Sequence, residues 1–203
     1  MDKQDRRKTD LKDLPGRLLL DTCVINRLFD EGAYIFDGML PDSFGGQIDP
    51  DNEALRAICA VNQRAQFELL VSPLSVSEVA NIQDFSDRQA RLRWLLEMLD
   101  HWVTMLDDRQ ARVTQGGTVR HRFKLTPDLQ AFETALMQIP DFRRDPFDRL
   151  LLIQYRMGAC QAFLTTDRDT IWRHRISLRD LGVLVLTPAE YWQTLRPWAA
   201  LFL

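Results

Sequence analysis

The sequence predicts an α/β fold, a three-layer α/β/α sandwich with helices on both faces of a central, mainly parallel sheet. Three observations carry this expectation. Short apolar runs at Arg17–Leu20, Phe67–Val71, Cys160–Thr166 and Val183–Leu186 have the length and two-sided hydrophobicity of strands buried on both faces. Stretches with apolar residues at helical spacing separate them. Strand and helix then alternate along the chain, a pattern that folds into a parallel sheet with right-handed crossovers. With 203 residues, 45% of them hydrophobic, the chain supplies one sizeable core. A single domain over 14–203 is expected, with insertions near 30–50 and 107–125. Residues 1–13 read as a charged, frayed tail.

Each element has a local reason. Pro15-Gly16 precedes the first strand, which ends in Asp21, and Val24–Phe29 begins a helix or turn. Residues 30–51, rich in Gly, Pro and Asp, read as a loop or a short helical insertion. Asp51 or Asn52 is the expected cap of a helix to about Ala65, with Leu55, Ile58, Cys59 and Asn62 on one face. After the second strand, Ser75 as cap would place Glu78 at the third helical position, a capping box. Glu78 therefore has two readings, a backbone cap or a functional acid. Ser86–Leu106 reads as one long amphipathic helix with Leu92, Leu95, Leu96, Leu99, Val103 and Leu106 as its apolar face.

Asp107–Lys124 places Arg109, Arg112, Arg120, His121, Arg122 and Lys124 around Gly116-Gly117. A two-stranded ribbon or a loop fits, either as a phosphate-contacting arm or as a solvated excursion. Thr126 caps the next helix with Pro127 at its first position, and that helix ends near Ile139-Pro140. Asp145–Asp169 then reads as helix, tight turn and buried strand. Leu150, Leu151, Ile153, Gln154 and Met157 form its helical stripe, and Gly158 is the expected stop. Asp145, just before Pro146, is the expected cap, which leaves Asp148 in the first turn. Asp167 falls past the strand end, and Asp169 is the expected cap of a short helix to Arg175. Pro188–Leu195 forms the final helix. The apolar Trp198–Leu203 docks on the chain's own core or on a partner.

Composition narrows the function classes. With 26 basic and 29 acidic residues the net charge is −3, so nucleic-acid binding needs a local basic patch. Cys23, Cys59 and Cys160, without metal-ligand spacing, read as free buried thiols in a reducing cytoplasm. No apolar stretch is long enough to span a bilayer, and no signal-peptide core follows the charged N-terminus. The three histidines lack zinc-binding spacing, and no phosphate-cradling glycine loop or nucleophile elbow is present. A phosphate-accepting signalling domain would place two adjacent acids after the first strand, where this chain has Asp21-Thr22.

A parallel sheet puts the carboxyl ends of its strands on one edge, where open α/β sheets bind ligands. Asp21, Glu78, Asp148 and Asp167 can therefore converge there despite their separation in sequence. Gathered carboxylates repel and call for a cation or for protons. Oxygen-only donors favour Mg2+ or Mn2+, and such an ion between carboxylates and a phosphate promotes phosphodiester hydrolysis.

The segments LLLDTCVI, SPLSVSEVANI, DPFDRLLLIQ and FLTTDRD resemble, in this order, the four signature segments of PIN-domain ribonucleases, including VapC-type toxins of toxin–antitoxin pairs. The resemblance spans about residues 17–186. It implies that Asp21, Glu78, Asp148 and Asp167 form the acidic, metal-holding cluster, with Thr22 and Thr165 holding carboxylates or water. It further implies RNA cleavage with Mg2+ or Mn2+, a homodimer, and, for a toxin, a protein antitoxin. Arg109, Arg112, Arg120, Arg122 and Lys124 would position the RNA backbone. The chain is longer than the small toxins of that family, with its excess in 30–50 and 107–125. The competing expectation is a non-catalytic PIN-like module that binds RNA or docks a protein. The presence of all four acids favours the enzyme. The apolar C-terminus and the Leu-rich stretch favour a partner in either case.

Overall fold

The computed structural model describes residues 13–40, 46–65, 67–106, 111–113, 119–121 and 125–202, with backbone alone at 111–113 and 119–121. The expected tail at residues 1–12 lies outside them. In chain order the elements are β1 (Arg17–Leu20), α1 (Thr22–Asp30), α2 (Gly32–Asp37), α3 (Pro50–Ala65), β2 (Glu68–Val71), α4 (Pro73–Ala80), α5 (Phe85–His101) and β3 (Thr104–Met105). The ribbon strands β4 (Ala111–Val113) and β5 (Val119–His121) follow, then α6 (Pro127–Leu136), α7 (Pro140–Arg144), α8 (Pro146–Met157), β6 (Ala162–Leu164), α9 (Arg175–Asp180), β7 (Val185–Leu186) and α10 (Pro188–Leu195). Among the described residues, no helix is long and apolar enough to cross a membrane.

The main sheet has the order β3-β2-β1-β6-β7, and every neighbouring pair is parallel. Strand alternation sends successive side chains to opposite faces. Leu18, Leu20, Leu69, Val71, Ala162 and Leu164 enter one core with α1, α2, α3, α5 and α10. Leu19, Leu70, Phe163 and Val185 enter a second core with α6, α7, α8 and α9. Beyond their first residues, Arg17 and Glu68, β1 and β2 are apolar throughout, as is β6, because both faces are covered. This is the expected three-layer sandwich. The chain runs outward from β1 through β2 to β3, then crosses to the other side of β1 to lay down β6 and β7. The order of the sheet therefore reverses between β1 and β6, and the crevice at their carboxyl ends is where open sheets take ligands.

Several local expectations are corrected. The long helix stops at His101, because β3 uses Thr104 and Met105 as an edge strand beside β2. Val103 and Leu106 flank that strand and enter opposite cores, while Leu96 faces solvent. Helix α3 starts at Pro50, with the Asp49 carboxylate accepting from Asp51 N–H at 2.8 Å. Asp51 and Asn52 are thus buried members of the first turn, not its caps. The 30–50 insertion contains α2, and 107–125 contains the antiparallel β4–β5 ribbon. The C-terminal segment docks on the chain's own core, with Trp198 and Phe202 packed there and the Phe202 ring 6.1 Å from that of Phe67.

The turn after α8 also differs from the expected glycine stop. Gly158 has φ −74°, and the left-handed position is taken by Ala159 at φ 49°. What Gly158 provides is close approach: a Cβ there would sit 2.7 Å from Leu106 Cδ2 and 3.2 Å from the Gln154 carbonyl oxygen. The two neighbours should therefore respond with opposite signs. Gly158→Ala is expected to cost ~1–3 kcal/mol through overpacking. Ala159→Gly is expected to be neutral or to stabilise by up to ~1 kcal/mol as the left-handed strain is relieved. Urea midpoints of the two variants check this; a destabilised Ala159→Gly protein would contradict it.

Candidate functional site

Asp21 leaves β1 at the sheet's carboxyl edge and precedes α1 without capping it. Its N–H donates to the Leu164 carbonyl at 2.9 Å, which extends the β1–β6 ladder by one bond. Its Oδ2 accepts from Thr165 Oγ1 at 2.6 Å and from Cys23 Sγ at 3.1 Å. Burial still pushes the Asp21 carboxyl above the usual range, against those two donors and the Thr22 backbone, and the nearby Asp167 charge adds to the rise. Thr165 is fully buried and used twice, since its hydroxyl oxygen also accepts from Asp167 N–H at 3.0 Å. One hydroxyl thus couples the acid after β1 to the acid after β6.

Glu78 is not the capping-box partner that the alternative reading expects. Ser72, not Ser75, caps α4, with Oγ accepting from Leu74 N–H at 2.9 Å. Glu78 therefore lies well inside the helix, and its carboxylate accepts from the Thr22 hydroxyl. Thr22 Oγ1 also lies 2.9 Å from Ser75 Oγ. Burial raises the Glu78 carboxyl, the Thr22 bond opposes this, and the charges of Asp21 and Asp145 raise it further.

Asp145 is the cap of α8, as expected, accepting from Phe147 N–H at 2.8 Å and Asp148 N–H at 3.2 Å. Asp148 occupies the first turn. Burial pushes its carboxyl up to about 7, and the charges of Asp145, Asp21, Glu78 and Asp167 act in the same direction. Asp167 holds the turn after β6, with Oδ1 accepting from Asp169 N–H at 2.7 Å and Oδ2 from Thr170 Oγ1 at 2.9 Å. The capping role expected of Asp169 belongs to Asp167, and Asp169 is exposed.

The four acids thus share one electrostatic site at the β1–β6 crevice. Among the described residues, no ion pair reaches any of them. No three His, Cys, Asp or Glu side chains among those residues stand close enough together to grip a metal ion. The carboxylates feel one another without closing into a coordination shell. Their donor chemistry fits a hard divalent cation: oxygen donors, mutually repelling charges and no basic partner.

Two participants escaped sequence reading. Cys23 looked like a core thiol. Its Sγ donates to Asp21 and accepts from Thr166 N–H at 3.3 Å, and burial and the Asp21 charge push its pKa to about 11. It is a neutral donor, not a nucleophile. Ser75 was expected as a cap and lies beside Thr22. The usable signal was position: a polar group two residues past a strand-end acid sits on the first turn facing the neighbouring strand. Arg112 and Arg120 are paired across the β4–β5 ribbon by backbone register. Arg109, Arg122 and Lys124 lie outside the described residues. Comparison with known protein families, with curated proteins and with solved structures finds no match to the chain.

Two outcomes test the site. The folded Asp148 carboxyl, at about 7, lies well above the usual carboxylate range of the unfolded chain, so the folded state binds the extra proton. Its stabilising contribution is present below about pH 4 and is lost as pH rises through 7. Asp148→Asn should flatten that fall in chelator-treated protein. At pH 8 a relief of ~1 kcal/mol would raise Tm by ~2–4 °C in a chain of this size. An unchanged pH slope in thermal unfolding would remove Asp148 from the coupled set. Thr165→Val should cost ~1–3 kcal/mol, because it strands Asp167 N–H and removes a donor from Asp21. Denaturant unfolding reads that loss.

Proposed function

We propose that this chain is a metal-dependent endoribonuclease that hydrolyses RNA phosphodiester bonds with Mg2+ or Mn2+. The observation that carries the reading is the coupling of Asp21, Glu78, Asp148 and Asp167 at the reversal point of a parallel sheet, with no ion pair to any of them among the described residues. The resemblance to PIN-domain ribonucleases, carried by the four segments that hold these same acids, points the same way. Asp21, Glu78, Asp148 and Asp167 would hold the cation. When bound, it activates water and stabilises the leaving oxygen of a phosphodiester.

The chain's own residues supply the arrangement. Thr165 fixes the Asp21 carboxylate, and Thr22 fixes that of Glu78. Asp148 releases its proton near neutral pH, so apparent metal affinity rises with pH through that range. Exposed Phe85 and Leu96 on α5 support a protein partner, in the toxin reading a second copy or an antitoxin.

The test is cleavage of a mixed single-stranded RNA pool by wild type and Asp148→Asn, with a chelator control. Activity should require Mg2+ or Mn2+ and fall at least ~100-fold in the variant. Cleavage that survives both the chelator and the substitution would refute the reading. A pool left intact by wild type with either metal would favour the non-catalytic module.

A further inference from the structure

The expected RNA contacts were placed on the 107–124 ribbon. A different surface has better-defined chemistry. Immediately after Asp167, residues 168–179 carry Arg168, Arg173, Arg175 and Arg179 against a single acid, Asp169. In a chain of net charge −3 this is a local cationic stretch of the kind nucleic-acid binding requires.

The segment is anchored. Ile171 and Leu178 are fully buried in the second core. His174 Nε2 lies 2.7 Å from Asp141 Oδ2, and Arg173 pairs with the same carboxylate. Trp172 Nε1 donates at 3.4 Å to Glu190 Oε2, the oxygen that caps α10. Upon this fixed indole lie two guanidinium groups. Arg175 Cζ is 3.6 Å from the ring centroid, a stacked geometry, and Arg168 Cζ is 5.0 Å away. Among the described residues, Arg175 makes no ion pair. Arg168 is half exposed and only 3.3 Å from Asp51 Oδ2. Held on the aromatic face, Arg175 keeps its N–H fork free for phosphate, while Arg168 donates through Nη2 to Asp51 and offers its remaining N–H groups; both lose little freedom on binding.

This platform adjoins the acids. Arg168 follows Asp167 directly. With Thr166, Arg27 and the carboxylates of Asp49 and Asp51 it lines a cavity of about 500 Å³. Arg27 is held there by Asp49 at 2.6 Å and Asn52 at 3.1 Å.

We infer that Arg168 and Arg175, held on Trp172, form a phosphate-binding platform for single-stranded RNA, placing the phosphates beside the one at the acidic cluster. The direction of the strand rests on the nuclease reading; the platform itself does not. Phosphate contacts position a strand without reading its sequence.

The test is fluorescence anisotropy of a labelled mixed-sequence single-stranded RNA with the full chain in chelator, where binding is read without turnover. Arg168→Ala/Arg175→Ala should weaken binding about tenfold or more. The slope of log affinity against log salt should shrink by about 1.4, for two lost phosphate contacts. Arg175→Lys retains the charge and should keep the slope while weakening affinity, which serves if the double variant unfolds. Exposed Arg93 on α5 gives the control, and Arg93→Ala should bind as wild type does. Wild-type affinity and slope in the double variant would overturn the platform, as would an equal loss in Arg93→Ala. Displacement of the RNA by polyglutamate at equal charge would overturn RNA as the ligand. Metal-dependent cleavage with unaltered binding in the double variant would sink the platform alone. Loss of binding in a chain that never cleaves RNA would sink the nuclease reading alone.

Discussion

The junction between β1 and β6 carries the rest of the arrangement. Asp21 joins it twice, through its N–H to Leu164 and through its carboxylate to the Thr165 hydroxyl. The first bond extends the register of two strands whose paired residues, such as Leu19 and Phe163, lie 144 positions apart. The second fixes the rotamer of the acid that both strands deliver. Because the sheet reverses its order here, helices diverge to either side and leave a crevice. Three of the acids reach it from element ends, after β1, at the start of α8 and after β6, and Glu78 reaches it from within α4. Remove the junction and they have no common origin.

That crevice is assembled against its own electrostatics. Asp21, Glu78 and Asp148 are all pushed above the usual carboxylate range, first by burial and then by one another. A fold selected only for stability would place an arginine among them. The chain places hydroxyls and a thiol there instead: Thr165, Thr22 and Cys23 donate to carboxylates without cancelling their charge. Local destabilisation of this kind is what functional sites store and the surrounding cores offset. Here the offset comes from two separate cores, one on each face of the sheet.

Much of this was legible in the sequence. The strands at β1, β2, β6 and β7 showed themselves because a strand covered on both faces cannot alternate in polarity. The four acids followed from their positions at element ends. Edge strand β3 was not legible: it is two exposed residues long, and its flanking Val103 and Leu106 mimic the continuation of a helix. Ser72 and Ser75 carry the same local signal for a cap and are equally buried, and only the bond from Leu74 N–H to Ser72 Oγ decides between them. Asp167 and Asp169 were exchanged as caps for the same reason. Cys23 was hidden because a thiol in an apolar run looks like packing until the opposing strand is in place.

Helix α10 touches distant parts of the chain at once. Tyr191 donates to the Pro15 carbonyl at 2.8 Å, Ala189 N–H donates to buried Asp51, and Glu190 receives Trp172. It is also synthesised after every strand of the sheet. The nascent chain therefore carries all four acids well before the element that clasps the start of β1, the first turn of α3 and the arginine loop together. In vectorial synthesis the clasp between the start of β1, the first turn of α3 and Trp172 is therefore complete only once residues 188–195 have been made.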